Sequence, residues 1–178
     1  MNIIDNPNSP QVYSIGNVFE YSYQNKLYNI CRHSFYQIGW EDTNHIEYSN
    51  IKYLHCKWNE EDIKNSKIDA KIRNTKFNDL LSNKTLEEVV INLSTPGETY
   101  FEHTHIGKTV VLYYPNLRWS RQWGGETIFY SPNNKHIEFV SEYEPNKLIL
   151  FDGKISHTVR PGSYLSPQYR FTISCFYS

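Results

Sequence analysis

The 178-residue chain predicts a mainly β fold, two packed sheets forming a jelly roll or barrel, preceded by an α/β extension over residues 1–85. Three observations carry this expectation. Eight short runs rich in strand-forming residues follow one another after residue 86, each bounded by turn signals. A single region before them, residues 59–83, has helical spacing. Aromatic residues reach 16%, with 15 tyrosines, and such side chains favour pleated, half-buried surfaces. The length fits one domain, 1–178, with room for a real core.

The strands are read at 86–93, 99–105, 109–114, 126–130, 136–140, 147–151, 156–160 and 169–176. Between them lie Thr95-Pro96-Gly97, Pro115-Asn116, Gly124-Gly125, Pro132-Asn133-Asn134, Pro145-Asn146, Asp152-Gly153 and Pro161-Gly162, each a turn-forming combination. In the helical region Asn59 is a candidate N-cap. Glu60, Glu61 and Asp62 follow in the first turn, where negative charge meets the positive end of the helix dipole. Ile63, Ile68, Ile72, Phe77, Leu80 and Leu81 recur at loosely helical intervals, with a break expected near Asn74-Thr75. Residues 1–20 read as loop, with Asn6-Pro7-Asn8-Ser9-Pro10 as a breaker cluster. Residues 17–58 lack clear periodicity, and short strands are expected at 18–23 and 27–31.

A net charge of −1 gives no general affinity for nucleic acid or anionic membrane. No apolar run approaches the length of a membrane span. Met1-Asn2-Ile3-Ile4-Asp5-Asn6-Pro7 lacks the basic and apolar blocks of a secretory signal, so a cytoplasmic location is expected. Cys31, Cys56 and Cys175 are few, odd in number and far apart, which predicts packed thiols and no disulfide framework.

The chemistry concentrates in four residues. Residues two apart on a strand share a face, so His103 and His105 can point the same way. His157 offers a third imidazole from a distant strand, and Arg170 follows near the end. Imidazoles converging from separate strands suit Fe, Zn, Cu or Ni alike, and spacing does not choose among them.

Residues 86–178 resemble the double-stranded β-helix (cupin-like jelly roll) of Fe(II)/2-oxoglutarate-dependent oxygenases, in the prolyl-hydroxylase-like branch. The resemblance rests on six elements in order: Tyr100-Phe101-Glu102-His103-Thr104-His105, Leu112-Tyr113-Tyr114-Pro115-Asn116, Trp123-Gly124-Gly125-Glu126-Thr127, Leu148-Ile149-Leu150-Phe151-Asp152-Gly153, His157, and Tyr169-Arg170-Phe171-Thr172. It implies iron on His103 and His157. It further implies that Arg170 pairs with the far carboxylate of 2-oxoglutarate, that Thr172 adds a hydroxyl on the same strand face, and that Tyr114 (or Tyr113, if the register slips by one) hydrogen-bonds the co-substrate. A guanidinium fork suits a planar carboxylate. The implied activity is hydroxylation of a small-molecule or peptidyl substrate with O2, the co-substrate being split to succinate and carbon dioxide.

Position 105 departs from the family pattern, which places a carboxylate there. One reading makes His105 the third ligand, giving a three-histidine site about one charge unit more positive. A second shifts the register to His105-Ile106-Gly107, whose small third residue resembles a halogenase site. A third makes the chain a cupin-like binding protein without catalysis. A three-histidine dioxygenase that does not use 2-oxoglutarate also fits the ligand set. Glu102, Glu126 and Asp152 are the carboxylates near the motifs, expected respectively on the opposite strand face, in a structural role and in a turn. Gly124-Gly125 reads as a tight turn, not a phosphate loop, since no helix start follows. Trp119 and Trp123 either wall a substrate mouth or pack. His33, His45, His55 and His136 have no ligand spacing. Substrate choice is assigned to the extension and the loop 116–122.

Overall fold

In the computed structural model, residues 2–3, 11–39, 54–96, 101–133 and 135–178 are described. The elements in chain order are β1 (Asn2–Ile3), β2 (Val12–Ile15), α1 (Tyr21–His33), β3 (Gln37–Ile38), β4 (Leu54–Lys57), α2 (Glu60–Ser66), α3 (Ile68–Arg73), α4 (Asn78–Leu81), β5 (Leu86–Ser94), β6 (Thr109–Tyr114), β7 (Thr127–Tyr130), β8 (Ile137–Ser141), β9 (Lys147–Asp152), β10 (His157–Val159) and β11 (Arg170–Tyr177). They form an eight-stranded sheet ordered β1-β2-β9-β6-β11-β5-β4-β3 and a three-stranded sheet ordered β10-β7-β8. Every pairing is antiparallel. The mainly β jelly roll expected from the turn-separated runs is therefore the observed architecture.

The period-2 alternation of the large sheet divides the core in two. On β11, Phe171, Ile173, Cys175 and Tyr177 face a cluster shared with the extension: Tyr23, Leu27 and Cys31 of α1, Ile68 and Ile72 of α3, and Leu81 of α4. Val111 and Tyr113 of β6 and Leu148 and Leu150 of β9 join the same side. The other face carries Val110, Leu112 and Tyr114, with Ile149 and Phe151, against Phe129 of β7. Arg170 and Thr172 alternate with the residues of the first cluster, so their side chains fall on this second face. The helices thus cover one face of the sheet, and the space between the two sheets is left for the site.

α2 begins as expected. Asn59 Oδ1 accepts from the Asp62 amide at 2.9 Å and Asp62 Oδ2 accepts from the Asn59 amide at 3.2 Å, a reciprocal capping box. Lys67, left-handed at φ 60°, breaks the helix earlier than the expected break, and α3 then ends at Asn74. Asn146 ties the extension to the jelly roll. Its side chain accepts from the Phe19 amide at 3.1 Å, donates to the Phe19 carbonyl at 2.7 Å and receives the Tyr113 hydroxyl at 3.0 Å.

Three expectations are corrected. In place of the strands expected at 18–23 and 27–31, one helix, α1, runs from Tyr21 to His33, and residues 18–20 precede it without regular structure. Tyr23, Leu27 and Cys31, its buried residues together with Gln24, are spaced by four, which is a helical and not a strand period. Part of the loop expected over 1–20 is the strand β2, paired with β9. The strand expected at 99–105 is not formed over its described part: of residues 101–105 only His103 pairs, as an isolated bridge to His157. Residues 99 and 100, including Tyr100, lie outside the described residues, as do Gly97, Asn134, His45 and the Asn6–Pro10 cluster. The remaining seven strands agree to within one or two residues at each end. Cys31, Cys56 and Cys175 are all free thiols.

Candidate metal centre

His103, His105 and His157 converge, with potential ligand atoms all within 4.8 Å of one another. Ring centroids lie 4.4 Å apart for His103–His157, 4.9 Å for His103–His105 and 5.3 Å for His105–His157. Backbone pairing brings two of them together: the His103 amide donates to the His157 carbonyl, and the reverse, both at 3.0 Å. His157 is in turn held in register opposite Phe129 by β7.

The rings are also oriented. Nδ1 of His157 lies 2.9 Å from the Ile155 carbonyl, and Nδ1 of His103 lies 3.2 Å from that of Phe101. A carbonyl only accepts, so the neutral form of each of these rings carries its proton on Nδ1 and leaves the Nε2 lone pair as the one that can ligate. Burial, then the neighbouring His103 and His105, hold the His157 imidazole well below the ordinary histidine range. It is therefore neutral near pH 7, the form that ligates a metal. Phe129 and Phe151 pack on the His157 ring, and Phe176 on that of His105.

His105 is positioned differently, because it has no strand of its own. It opens the turn His105-Ile106-Gly107-Lys108, closed by the Lys108 amide donating to the His105 carbonyl at 3.1 Å. Gly107 has φ +81° in the third place of that turn, where a positive φ favours glycine. The His105 amide donates to the Gly153 carbonyl at 2.6 Å, and the Gly153 amide to the Lys108 carbonyl at 2.7 Å.

A buried cation packs on other members of the hydrophobic cluster that these imidazoles touch. Arg170 is 1% exposed. Its guanidinium carbon stands 4.9 Å from the Tyr143 ring centroid and 5.6 Å from that of Tyr114, and the two rings stack at 4.4 Å. Nε donates to the Gly125 carbonyl at 2.8 Å, while Nη2, also buried, has no hydrogen-bond partner among the described residues. Gly125, at φ +87°, has little room for a side chain: a Cβ there would stand 3.1 Å from Arg170 Cδ and Nε and 3.3 Å from Trp119. The double glycine is not the tight turn expected: Gly124 caps the 3-10 turn Arg121–Trp123 and bridges to Gly162, and Gly125 lets Arg170 lie against it.

Asn116 brackets Arg170 from its strand. Its Nδ2 donates to the Tyr169 carbonyl at 2.9 Å and its Oδ1 accepts from the Phe171 amide at 3.1 Å. The Tyr143 hydroxyl lies 2.6 Å from both Asn116 Oδ1 and the Phe171 carbonyl, acceptors that share its one proton. Thr172 shares the face of Arg170, and its hydroxyl accepts from Asn92 Nδ2 at 3.3 Å. The Tyr114 hydroxyl pairs with Thr127 Oγ1 at 2.7 Å. Tyr113, the alternative in a slipped register, belongs to the opposite core and donates to Asn146, so it faces away from Arg170.

No carboxylate joins the three imidazoles among the described residues. Glu102 accepts from Ser156 Oγ at 2.5 Å, and Asp152 caps its turn by accepting from the Lys154 amide at 3.0 Å. Trp119 donates to the Gly124 carbonyl at 2.8 Å and meets Trp123 edge-on at 5.4 Å. His33 and His136 are exposed and hydrogen-bonded locally, and His55 is buried on the β4 strand. Sequence reasoning missed Asn116, Tyr143 and Gly153. Asn116 and Gly153 stood in turn signals and at the ends of motif runs with no role of their own, and Tyr143 carried no signal.

No family model matches the chain, and no curated protein matches it in sequence. Solved structures do. A Pseudomonas putida prolyl-4-hydroxylase superposes with a TM-score of 0.66 at 15% identity, over 93% of this chain and 91% of that one. A Trichoplax adhaerens prolyl hydroxylase, in complex with a hypoxia-inducible-factor oxygen-degradation-domain peptide, gives 0.65 at 21% identity, over 96% and 84%. HygX from Streptomyces hygroscopicus, with nickel, 2-oxoglutarate and hygromycin B bound, gives 0.65 at 9% identity, over 96% and 83%. At these identities the likeness is one of fold: the chain has the jelly-roll fold of prolyl hydroxylases and other 2-oxoglutarate/Fe(II) oxygenases.

Proposed function

We propose that the chain is an Fe(II)- and 2-oxoglutarate-dependent oxygenase, a hydroxylase, with iron on His103, His105 and His157. The observation that carries this reading is a cluster of three imidazoles on the same aromatic core as a buried arginine with an unsatisfied N–H. A buried guanidinium donor with no acceptor is costly, and a planar carboxylate answers it with charge-assisted hydrogen bonds. Three neutral nitrogen donors suit a divalent first-row ion. The fold likeness to enzymes solved with 2-oxoglutarate supports the same assignment.

When bound, iron and 2-oxoglutarate supply the oxidising power for C–H hydroxylation with O2. The chain's residues bind, orient and exclude water. Neutral His103 and His157 would offer Nε2 to the metal, with Nδ1 facing a carbonyl in each case. Arg170 grips the distal carboxylate, with Thr172 on the same face offering a hydroxyl. Tyr114 and Tyr143 wall that pocket with stacked rings, and the Tyr114 hydroxyl, engaged by Thr127, serves to hold the wall. The substrate is peptidyl or a small molecule, as for the peptide-bound and hygromycin-bound structures that share the fold.

Two other readings weigh against this one. The shifted register, with His105 first and Gly107 third, gives no account of His103, which is bonded backbone to backbone with His157. A three-histidine dioxygenase without 2-oxoglutarate shares the metal set but leaves the Arg170 N–H unexplained. The test is an anaerobic titration of the metal-free protein with Fe(II) and 2-oxoglutarate. A visible metal-to-ligand charge-transfer band that weakens in Arg170→Ala is expected. Iron binding without a band would overturn the reading in favour of the dioxygenase, and absence of iron binding in favour of a binding protein.

A further inference from the structure

We infer that Gly153 is a positioning residue for the third imidazole: its missing side chain lets the end of β9 lie directly against the turn that carries His105. The inference rests on the three-histidine reading and extends it to a residue that touches neither metal nor substrate.

The argument is one of space. The φ of Gly153 lies outside the left-handed region, so backbone strain does not demand glycine there. A Cβ would instead overlap the His105 carbonyl oxygen and stand 2.7 Å from that of Lys108. Both atoms are backbone and cannot swing aside as a flexible side chain would. The approach is that close because Gly153 is bonded into the turn on both sides, through the His105 amide and the Lys108 carbonyl.

The connection to the metal centre is direct. His103 and His157 are held by the bridge between them, and His157 also by β7. His105 has neither support. Its backbone is fixed by the turn to Lys108 and by Gly153, and its ring by Phe176 and the other two imidazoles. A group larger than hydrogen at position 153 cannot coexist with the present position of the His105 carbonyl, so the contact between the end of β9 and the His105 turn must open.

The test is a double-mutant cycle on the full chain, with Co(II) as probe. Its visible bands report coordination, and calorimetry reports affinity. Gly153→Ala is expected to weaken Co(II) binding by about tenfold or more, as loss of a group that orients a ligand does. In a His105→Ala background the same change is expected to have no further effect on affinity. An equal loss in both backgrounds, or no loss in either, would overturn the inference while leaving the three-histidine site standing. Unchanged Co(II) affinity and spectrum in His105→Ala alone would overturn the three-histidine reading, and the inference with it. If Gly153→Ala does not fold, Gly107→Ala perturbs the same turn without a steric contact, since nothing lies within 4 Å of a Cβ there. It must show the same dependence on His105 for the inference to hold.

Discussion

His103 and His157 face each other across an antiparallel bridge, each donating its amide to the other's carbonyl at 3.0 Å. Two imidazoles far apart in sequence are thereby made neighbours by main-chain pairing alone. Their side chains need only project from the same face of that pair. The third imidazole enters from a turn, and this difference in support orders the consequences of substitution.

Loss of a supported imidazole should abolish tight metal binding. A metal at 100 times its Kd stabilises a folded protein by about 2.7 kcal/mol, which for a chain of this size raises Tm by roughly 5–10 °C. His157→Ala should remove that rise. Differential scanning calorimetry with and without Ni(II) measures both, and an undiminished rise in the variant would place the metal elsewhere.

Arg170→Met should separate binding from stability. Replacing a buried, incompletely paired charge by an apolar side chain of similar length is often near neutral, here within about 1 kcal/mol. The stabilisation that 2-oxoglutarate adds to the metal-loaded protein should vanish. Urea unfolding with and without the co-substrate reports the two effects separately, and retained co-substrate stabilisation would assign Arg170 a structural role only.

Asn116→Ala should be among the most damaging single changes. It strips partners from the Tyr169 carbonyl and the Phe171 amide and takes one acceptor from the Tyr143 hydroxyl. Unsatisfied buried groups of this kind predict a loss of about 2–4 kcal/mol in urea unfolding. Asn116→Asp should not rescue it, because it lacks the donor to Tyr169 and buries a charge.

Gly125→Ala should fold but bind co-substrate poorly. A left-handed φ costs an alanine about 1–2 kcal/mol, and its Cβ crowds Arg170 and Trp119. We expect co-substrate affinity to drop by about tenfold, equivalent to 1.4 kcal/mol. Gly16→Ala, with nothing within 4 Å, is the control expected to leave affinity unchanged.

The parts of this molecule that were legible in sequence are those governed by short-range pattern. Alternation and turn residues marked seven of the eight predicted strands, and Asn59 with Asp62 marked the start of α2. His103, His105, His157 and Arg170 were legible as a set because their order resembles that of a known family's motifs, and the fold brings the three imidazoles together. What escaped was tertiary in origin. The four-residue spacing of Tyr23, Leu27 and Cys31 sits among intervening polar and aromatic residues that blur its period. Asn116 is a turn residue by composition, and only folding reveals its grip on both neighbours of Arg170. Gly153 looked like an ordinary Asp-Gly turn, because the backbone it touches lies on a separate segment of chain. The strand expected through His103 failed because its pairing is confined, among the described residues, to a single bridge.

β11 is last in sequence among the strands yet interior in the sheet, lying between β5 and β6. During synthesis those two neighbours must wait as separate edges until the strand that joins them leaves the ribosome. Such long-range pairing makes closure a late event in folding. Because Arg170 begins that strand, the buried guanidinium and the sheet centre are put in place in the same step. A nascent chain lacking β11 therefore has neither, although His103, His105 and His157 precede it in sequence.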